Sequence, residues 1–195
     1  MYRLLWCLAQ VFVRPLYRIR VVGREHIPAG AFVLCANHIS YFDPVCLALS
    51  LHRPIRFMAK AELFACGGGL AGMFLKLCGV FPVKRSHADT ASVDTAFGLL
   101  QRRQIVGIFP QGGIVRTVPL TVRTKGGAAL LAAKAQTPLL PVVIYAEERI
   151  RPFVKLTVRF GEPLIAEGTS LRAARGLNQR LQASLQLLWA SGHDK

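Results

Sequence analysis

One pair of side chains in the sequence has the types and the spacing for proton transfer. His38 and Asp43 lie five residues apart in "NHISYFDP" (37–44), a stretch that is otherwise mostly apolar and aromatic. Residues at this spacing point apart on a helix and to opposite faces of a strand, so only a turn brings them together. An imidazole held at one ring nitrogen by a carboxylate can take a proton from a hydroxyl at the other.

The residues around this pair predict such a turn. A strand is expected to end near Asn37, and Asp43-Pro44 has the signature of a helix start, with Asp43 as the N-cap and Pro44 at the first helical position. A turn through Ser40 would place the Asp43 carboxylate against His38. Taken alone, the residues also fit a plainer interpretation, in which Asp43 only caps a helix and His38 binds a backbone carbonyl.

Cationic residues recur where strands are predicted to end. Lys60, Lys84, Arg85 and Arg116 all occupy such positions. Ligands of α/β sheets gather at the carboxyl ends of strands, so these cations could converge beside His38 and hold a phosphate. Each one alone is also compatible with a solvated surface charge. The sequence contains no G-x-S-x-G motif and no metal-ligand spacing around His38, so neither a serine nucleophile nor a metal site is predicted.

Short β-like runs alternate with helical stretches along the chain, which predicts an α/β fold: a mixed, largely parallel sheet of about seven strands flanked by helices. The predicted strands are 18–23, 31–36, 55–59, 80–85, 105–110, 139–146 and 154–161. The predicted helices are 44–51, 62–78, 88–103, 125–136 and 169–191. The apolar stretch 62–81 fits a buried helix, and contact with lipid is the alternative.

Residues 1–17 predict an N-terminal amphipathic membrane-associating helix, followed by a single domain over 18–195. Some 14 residues give roughly 21 Å of helix, short of the ~30 Å hydrocarbon core, so a membrane span is not expected. Packing of this helix on the protein's own core is the alternative. One side of the helix carries the polar residues Arg3, Gln10 and Arg14. The broad opposite face carries Leu5, Trp6, Leu8 and Phe12.

The charge predicts an anionic partner. Lys and Arg total 25 against 10 Asp and Glu, a net charge of +15, yet 52% of the residues are hydrophobic. That hydrophobicity and the lack of a nucleic-acid reading motif favour a membrane surface with anionic lipids over nucleic acid. Five cysteines, widely spaced in apolar runs, are expected to be reduced core residues, which indicates a cytosolic face. They are Cys7, Cys35, Cys46, Cys66 and Cys78.

Four blocks of the sequence resemble those of the glycerolipid acyltransferases, the superfamily of lysophosphatidic acid and glycerol-3-phosphate acyltransferases. "NHISYFDP" is similar to its first block, with His38 and Asp43 in the catalytic positions. "GVFPVKR" (79–85) is similar to the second, which places Arg85 at the phosphate-binding arginine. "IFPQGG" (108–113) resembles the third, F-P-E-G-T-R, and "LLPVVI" (139–144) the weaker fourth, with Pro141 at its proline.

The resemblance implies direct transfer of a fatty acyl group from a thioester to a hydroxyl of a lysophospholipid acceptor. His38 would be the general base and Asp43 would orient it. The residues that would bind the acceptor are Arg85, Lys60 and Arg116 at its phosphate, and Gln111 and Gly112 beside it. No cofactor is expected, since acyl-CoA or acyl carrier protein serves as co-substrate. The expected location is peripheral, on the cytoplasmic face of the cell membrane.

The third block departs from the family pattern. Gln111, Gly113 and Ile114 stand where the family has Glu, Thr and Arg, and we expect Arg116, or Arg123 and Lys125, to replace the missing arginine. Gln111 keeps an acceptor carbonyl for a substrate hydroxyl. The departure leaves other acceptors open, such as glycerol-3-phosphate. It also leaves open a non-catalytic protein that binds lipid or another anionic ligand.

Overall fold

Seven strands pair into one sheet in a computed structural model of the chain, which describes all residues except 1, 13, 17, 52, 66–68, 84–89, 116–123, 147–152 and 194–195. The strands are β1 (Arg18–Val22), β2 (Val33–Ala36), β3 (Ile55–Lys60), β4 (Phe81–Val83), β5 (Ile105–Ile108), β6 (Leu139–Ala146) and β7 (Lys155–Phe160). Their order across the sheet is β1-β7-β6-β2-β5-β3-β4. The predicted mixed, largely parallel α/β sheet is confirmed.

Strand direction decides which residues can meet at one edge of the sheet. All neighbouring strands are parallel except β6 and β7, which are antiparallel. The carboxyl ends of β2, β3, β4, β5 and β6 therefore share one edge with the amino ends of β1 and β7. We call this the upper edge, and the opposite one the lower edge.

In the described part of the chain, six α-helices lie between or beside the strands, and most follow the predicted ranges. They are α1 (Tyr2–Phe12), α2 (Asp43–Ser50), α3 (Leu70–Leu77), α4 (Thr90–Gln101), α5 (Gly127–Ala135) and α6 (Leu171–Ala190). The predicted helix 62–78 is the exception, because a short 3₁₀ turn over Ala61–Phe64 precedes α3. Gly69, whose φ is +91°, directly precedes α3, and glycine is a poor helix former.

Each face of the sheet buries its own hydrophobic core. Alternate strand residues point to opposite faces, so neighbours such as Val33 and Leu34 enter different cores. One core lies under α4, α5 and α6, and the other lies against α2. The sheet is packed on both faces, and this packing fixes the position of its upper edge.

The N-terminal helix α1 packs on α2 through polar side chains. The Trp6 indole N–H donates to the Ala48 carbonyl at 2.9 Å, and Gln10 Nε2 donates to Ala48 and Leu49 carbonyls at 3.3 Å. These carbonyls belong to the last turn of α2, where helix carbonyls lack partners within the helix. Trp6, expected on the broad apolar face, therefore faces α2, in line with the alternative in which this helix packs on the protein itself.

The outer side of α1 is apolar. Its exposed large apolar residues are Leu4, Leu8, Val11 and Phe12. Among the described residues, no helix has the length and the apolar character needed to cross a membrane. The membrane role of residues 1–17, and their separation from 18–195, stay predictions.

The cysteines only partly follow the prediction of a reduced core. Cys35 and Cys46 are free and buried, and Cys78 is free and partly buried. Cys7 is exposed, so its assignment to the core is wrong, because the side of α1 that carries it is not the side that packs on α2. Cys66 lies outside the described residues.

Candidate active site

The turn between β2 and α2 brings His38 and Asp43 together, as their spacing predicts. His38 Nδ1 lies 2.7 Å from Asp43 Oδ2. An ionised carboxylate can only accept, so Nδ1 carries the hydrogen and Nε2 is the basic nitrogen of the ring. The His38 side chain is 17% exposed and that of Asp43 is fully buried. The ring is therefore the part of the pair that a substrate can reach.

Asp43 also organises the turn itself. Its Oδ2 accepts from the backbone N–H groups of Ile39 at 2.7 Å and Ser40 at 2.9 Å, in addition to His38. The Asp43 N–H in turn donates to the Ser40 carbonyl. A carboxylate that accepts several N–H groups is fixed in position. The same side chain therefore shapes the turn and orients the base.

The helix start differs by one residue from the predicted one. Asp43 is the first residue of α2 rather than its N-cap, and Phe42 takes the N-cap position without a side-chain hydrogen bond. The Asp43 carboxylate turns back to the 38–40 turn, which is why it does not cap the helix. Its negative charge still lies in the first turn of α2, where the helix dipole favours an anion.

An aromatic side chain that the sequence reasoning missed fixes the plane of the histidine ring. The Phe109 ring stacks on His38 with centroids 4.1 Å apart and planes inclined by 17°. Phe57 of β3 stacks behind Phe109 at 5.6 Å. The only available signal was the position of Phe109 directly after β5, inside the third block.

Gln111 joins the third block to the backbone of His38. Its Oε1 accepts from the His38 N–H at 2.6 Å, and the Val115 N–H donates to the His38 carbonyl at 2.7 Å. The carbonyl oxygen that the sequence reserves for a substrate hydroxyl is thus already engaged within the protein. Gln111 Nε2 is buried and has no hydrogen-bond partner among the described residues. The amide therefore has a donor, not an acceptor, left to satisfy.

Gly112 and Lys125 lie in direct contact at this loop. Gly112 has φ +76°, a left-handed backbone that favours glycine. A Cβ at this position would lie 3.0 Å from Lys125 Nζ, so the lysine side chain passes over the glycine. The Lys125 N–H donates to the Pro110 carbonyl at 2.9 Å. Of the cations expected to replace the missing arginine, Lys125 is the one that the structure describes, and it lies at the third block.

The other predicted cations are placed less completely. Lys60 is the exposed last residue of β3, at the upper edge and in register with Val83 of β4. Arg85, Arg116 and Arg123 lie outside the described residues. Their part in phosphate binding stays a prediction.

Asn37 is a second residue that the sequence reasoning missed. Its side chain is fully buried, donates from Nδ2 to the Ile144 carbonyl at 2.9 Å and accepts at Oδ1 from the Ile144 N–H at 2.7 Å. These two bonds continue the pairing of β2 with β6 beyond the last residue of β2. They hold the start of the His38 turn against the sheet. Its only signal in the sequence is a polar residue between a buried strand and His38.

Comparisons with known proteins show which family the chain resembles. The acyltransferase family model matches residues 18–145, about two thirds of the chain. The 1-acyl-sn-glycerol-3-phosphate acyltransferase of Bacillus subtilis is 34% identical over 75% of this chain and 73% of its own length. The enzyme of the same name from Streptococcus pneumoniae is 27% identical over 68% of this chain, which spans half of that relative. The human alpha form is 29% identical over 86% of this chain and 62% of its own length.

The fold has a counterpart among solved structures. The crystal structure of the 1-acyl-sn-glycerophosphate (LPA) acyltransferase PlsC from Thermotoga maritima matches with a TM-score of 0.76, covering 100% of this chain and 82% of that one at 20% identity. At that identity the match shows the shared fold. The family model and the Bacillus relative carry the assignment further: this chain belongs to the acyltransferase family, among the O-acyltransferases related to 1-acyl-sn-glycerol-3-phosphate acyltransferase.

Proposed function

We propose that the protein transfers a fatty acyl group from an acyl thioester to the free hydroxyl of lysophosphatidic acid in phospholipid synthesis. The 2.7 Å contact between His38 Nδ1 and the buried Asp43 carboxylate is the observation that carries this proposal. It leaves a basic Nε2 on a partly exposed ring at the upper edge, where α/β folds bind their ligands. The names of the relatives in bacteria and in human support the choice of acceptor.

The reaction needs one base and no covalent enzyme intermediate. His38 Nε2 takes the proton of the acceptor hydroxyl as its oxygen attacks the thioester carbonyl. The tetrahedral intermediate collapses, the C–S bond breaks, and the proton on His38 passes to the departing thiolate. Asp43 stabilises the imidazolium between these steps, as carboxylates do in hydrolase triads. The proton of the acceptor hydroxyl ends on the released thiol, and no group is oxidised or reduced. The proposed reaction therefore uses no cofactor.

Positive charge at the upper edge would position the acceptor by its phosphate. Lys60 and Lys125 are the described cations available for this, and we assign Arg85 and Arg116 to the same task from the sequence. Correct positioning of an acceptor can contribute about 7–11 kcal/mol to catalysis, compared with 10²–10⁴-fold from a general base. Phosphate anchoring therefore matters at least as much as His38.

Gln111 and Gly112 would form the acceptor side of the site. Gln111 Nε2, which is buried without a hydrogen-bond partner among the described residues, can donate to an oxygen of a bound substrate once that substrate reaches it. The absence of a side chain at Gly112 leaves room for Lys125 beside it. Because this block has Gln in place of Glu, glycerol-3-phosphate is the alternative acceptor to be tested.

The donor and the membrane location complete the proposal. Either acyl-CoA or acyl carrier protein suits a protein of net charge +15, because both are anionic. We propose peripheral attachment to the cytoplasmic face of the cell membrane. Exposed apolar side chains at α1, at the start of α2 and around α3 support this proposal; they are Leu4, Leu8, Val11, Phe12, Tyr41, Phe42, Val45, Leu63, Leu70 and Met73.

A product assay tests the proposal directly. The protein is incubated in detergent with lysophosphatidic acid or glycerol-3-phosphate and with either donor, and extracted lipid is analysed by mass spectrometry. We expect phosphatidic acid from lysophosphatidic acid and a loss of turnover of about 10²–10⁴-fold in His38→Ala. Equal turnover of the wild type and His38→Ala above background would contradict the assignment of the base. Lipid binding without any product would support the non-catalytic alternative.

A further inference from the structure

A second exposed apolar residue, Phe153, lies at the upper edge, far from α1 in sequence. Phe153 stands two residues before β7 and its side chain is 65% exposed. Its φ is +69°, in the left-handed region that bulky residues rarely adopt. Strained backbone of this kind persists where the surrounding structure enforces it, and it is concentrated at functional positions. An exposed aromatic ring held at such a backbone needs an explanation.

The backbone of Phe153 is attached to the segment that joins α1 to β1. Its N–H donates to the Leu16 carbonyl at 2.6 Å. Leu16 ends a 3₁₀ turn over Arg14–Leu16 and is 39% exposed. The exposed Leu16 and Phe153 therefore lie next to each other, beside the segment that follows α1.

Two cationic residues lie near Phe153. Arg18 of β1 and Lys155 of β7 are register partners, both exposed, so their side chains leave the same face of the sheet side by side. Like charges on paired strand residues repel each other. Among the described residues, no ion pair joins either of them to an acidic side chain. An external anion would relieve this repulsion.

We propose that Phe153, Leu16, Arg18 and Lys155 form a second membrane contact, which we call the β1–β7 anchor. The Phe153 ring would enter the interface between headgroups and acyl chains, and the two cations would bind the phosphates of anionic lipids. This inference rests on the membrane association in the proposed function. Together with α1, the anchor would give the protein two separate attachment points and turn its upper edge, with His38, toward the bilayer.

An acidic protein carrier would also be attracted by Arg18 and Lys155. An acidic carrier has no need of an exposed aromatic residue beside these cations, whereas the interface of a bilayer favours one. The observations therefore favour a lipid surface with anionic headgroups as the partner.

A glycine substitution separates an anchoring role from a structural one. Glycine adopts φ +69° without strain, so Phe153→Gly is expected to keep or raise the Tm while lowering the partition coefficient onto vesicles about tenfold. Co-sedimentation with vesicles of phosphatidylcholine and phosphatidylglycerol measures the partition. Ile165→Gly is the matched control, because Ile165 is 63% exposed and lies beside Leu164, which pairs with Leu139 at the lower edge. Unchanged binding of Phe153→Gly would overturn the anchor.

Charge variants test the lipid class. The double variant Arg18→Gln, Lys155→Gln is expected to bind phosphatidylglycerol vesicles about tenfold more weakly, with little change on pure phosphatidylcholine. The control Arg172→Gln, Arg175→Gln removes two exposed charges from the beginning of α6. Equal losses in both double variants would show a general effect of net charge and overturn the assignment of these two cations.

The failure of this inference can be told apart from failure of the proposed function. If the wild type transfers acyl groups in detergent but binds no vesicles, the anchor is overturned and the acyltransferase proposal stands. If Arg18→Gln, Lys155→Gln keeps its vesicle binding but loses binding to an acidic acyl carrier protein, the lipid partner is overturned. Vesicle binding that falls in Phe153→Gly alone, with Ile165→Gly unchanged, supports the anchor.

Discussion

The backbone N–H of His38 donates to the side-chain oxygen of Gln111 across 2.6 Å, and the two residues are 73 positions apart. This bond ties the turn that carries the base to the loop after β5. The family pattern has Glu where this chain has Gln111. The carbonyl oxygen of the amide performs the acceptor role, and the amide nitrogen beside it is an additional buried donor without a partner among the described residues.

Removal of the Gln111 acceptor should loosen the base. In Gln111→Leu the buried His38 N–H loses its partner, which costs about 1–3 kcal/mol, so we expect a lower Tm and a kcat at least about tenfold lower. Gln111→Glu restores an acceptor at the same place and is the matched control, with kcat close to that of the wild type. Thermal unfolding and steady-state kinetics measure both. A Gln111→Leu variant with unchanged kcat and Tm would show that the bond has no role.

Two substitutions at Asp43 should separate orientation of the base from the shape of the turn. Asp43→Asn keeps an oxygen that can accept from Ile39 and Ser40 but loses the negative charge, so we expect near-normal stability and a kcat at least about 100-fold lower. Asp43→Ala removes every acceptor and should also lower the free energy of unfolding by about 1–3 kcal/mol. Circular dichroism with heating, run beside the product assay, distinguishes the two. Full activity in Asp43→Asn would remove the carboxylate from the mechanism.

Lys125 should bind the phosphate of the acceptor. Lys125→Met keeps the length of the side chain and removes the charge, so we expect a KM for lysophosphatidic acid at least about tenfold higher, with a smaller change in kcat. An acceptor without phosphate, such as monoacylglycerol, should be used equally by both proteins. Lys134→Met, on the last turn of α5, is the control. If KM for both acceptors rises equally, Lys125 acts on the fold and not on the phosphate.

The buried thiols should make the protein sensitive to alkaline pH. Burial raises the pKa of the Cys46 thiol from its ordinary value of 9.0 to about 12, and the nearby Asp43 carboxylate adds to this rise. Burial also raises the pKa of Cys35. A raised folded-state pKa stabilises the native state fully below pH 9, and this contribution is lost as pH rises from 9 toward 12. The free energy of unfolding should fall by about 1.4 kcal/mol per pH unit for each thiol in that window.

Urea titrations between pH 8 and about 11 would measure this slope. We expect a shallower slope in Cys46→Ala than in the wild type, and Cys7→Ala, a substitution at an exposed cysteine, is the control. An identical slope in the wild type and in Cys46→Ala would contradict the contribution of Cys46.

Local signals in the sequence determined much of this structure. Short apolar runs between helical stretches predict the seven strands, and the spacing of His38 and Asp43 before Pro44 predicts a turn. Both signals are local, because strand periodicity and helix starts depend on neighbours a few residues away. The predicted carboxyl ends of the strands, where α/β folds bind ligands, and the family blocks together predict that His38, Lys60 and the third block lie at one edge.

Only the tertiary structure decided which distant groups complete the site. The stacking of Phe109 on His38, the bond from Gln111, the bridge from Asn37 to Ile144 and the contact of Lys125 with Gly112 join strands or loops that local patterns treat separately. The inward turn of Trp6 follows the same rule, because the unpaired carbonyls at the end of α2 come within reach of Trp6 only once α1 packs there. Such contacts depend on long-range packing and on the polar groups that this packing brings together. No short stretch of the chain encodes them.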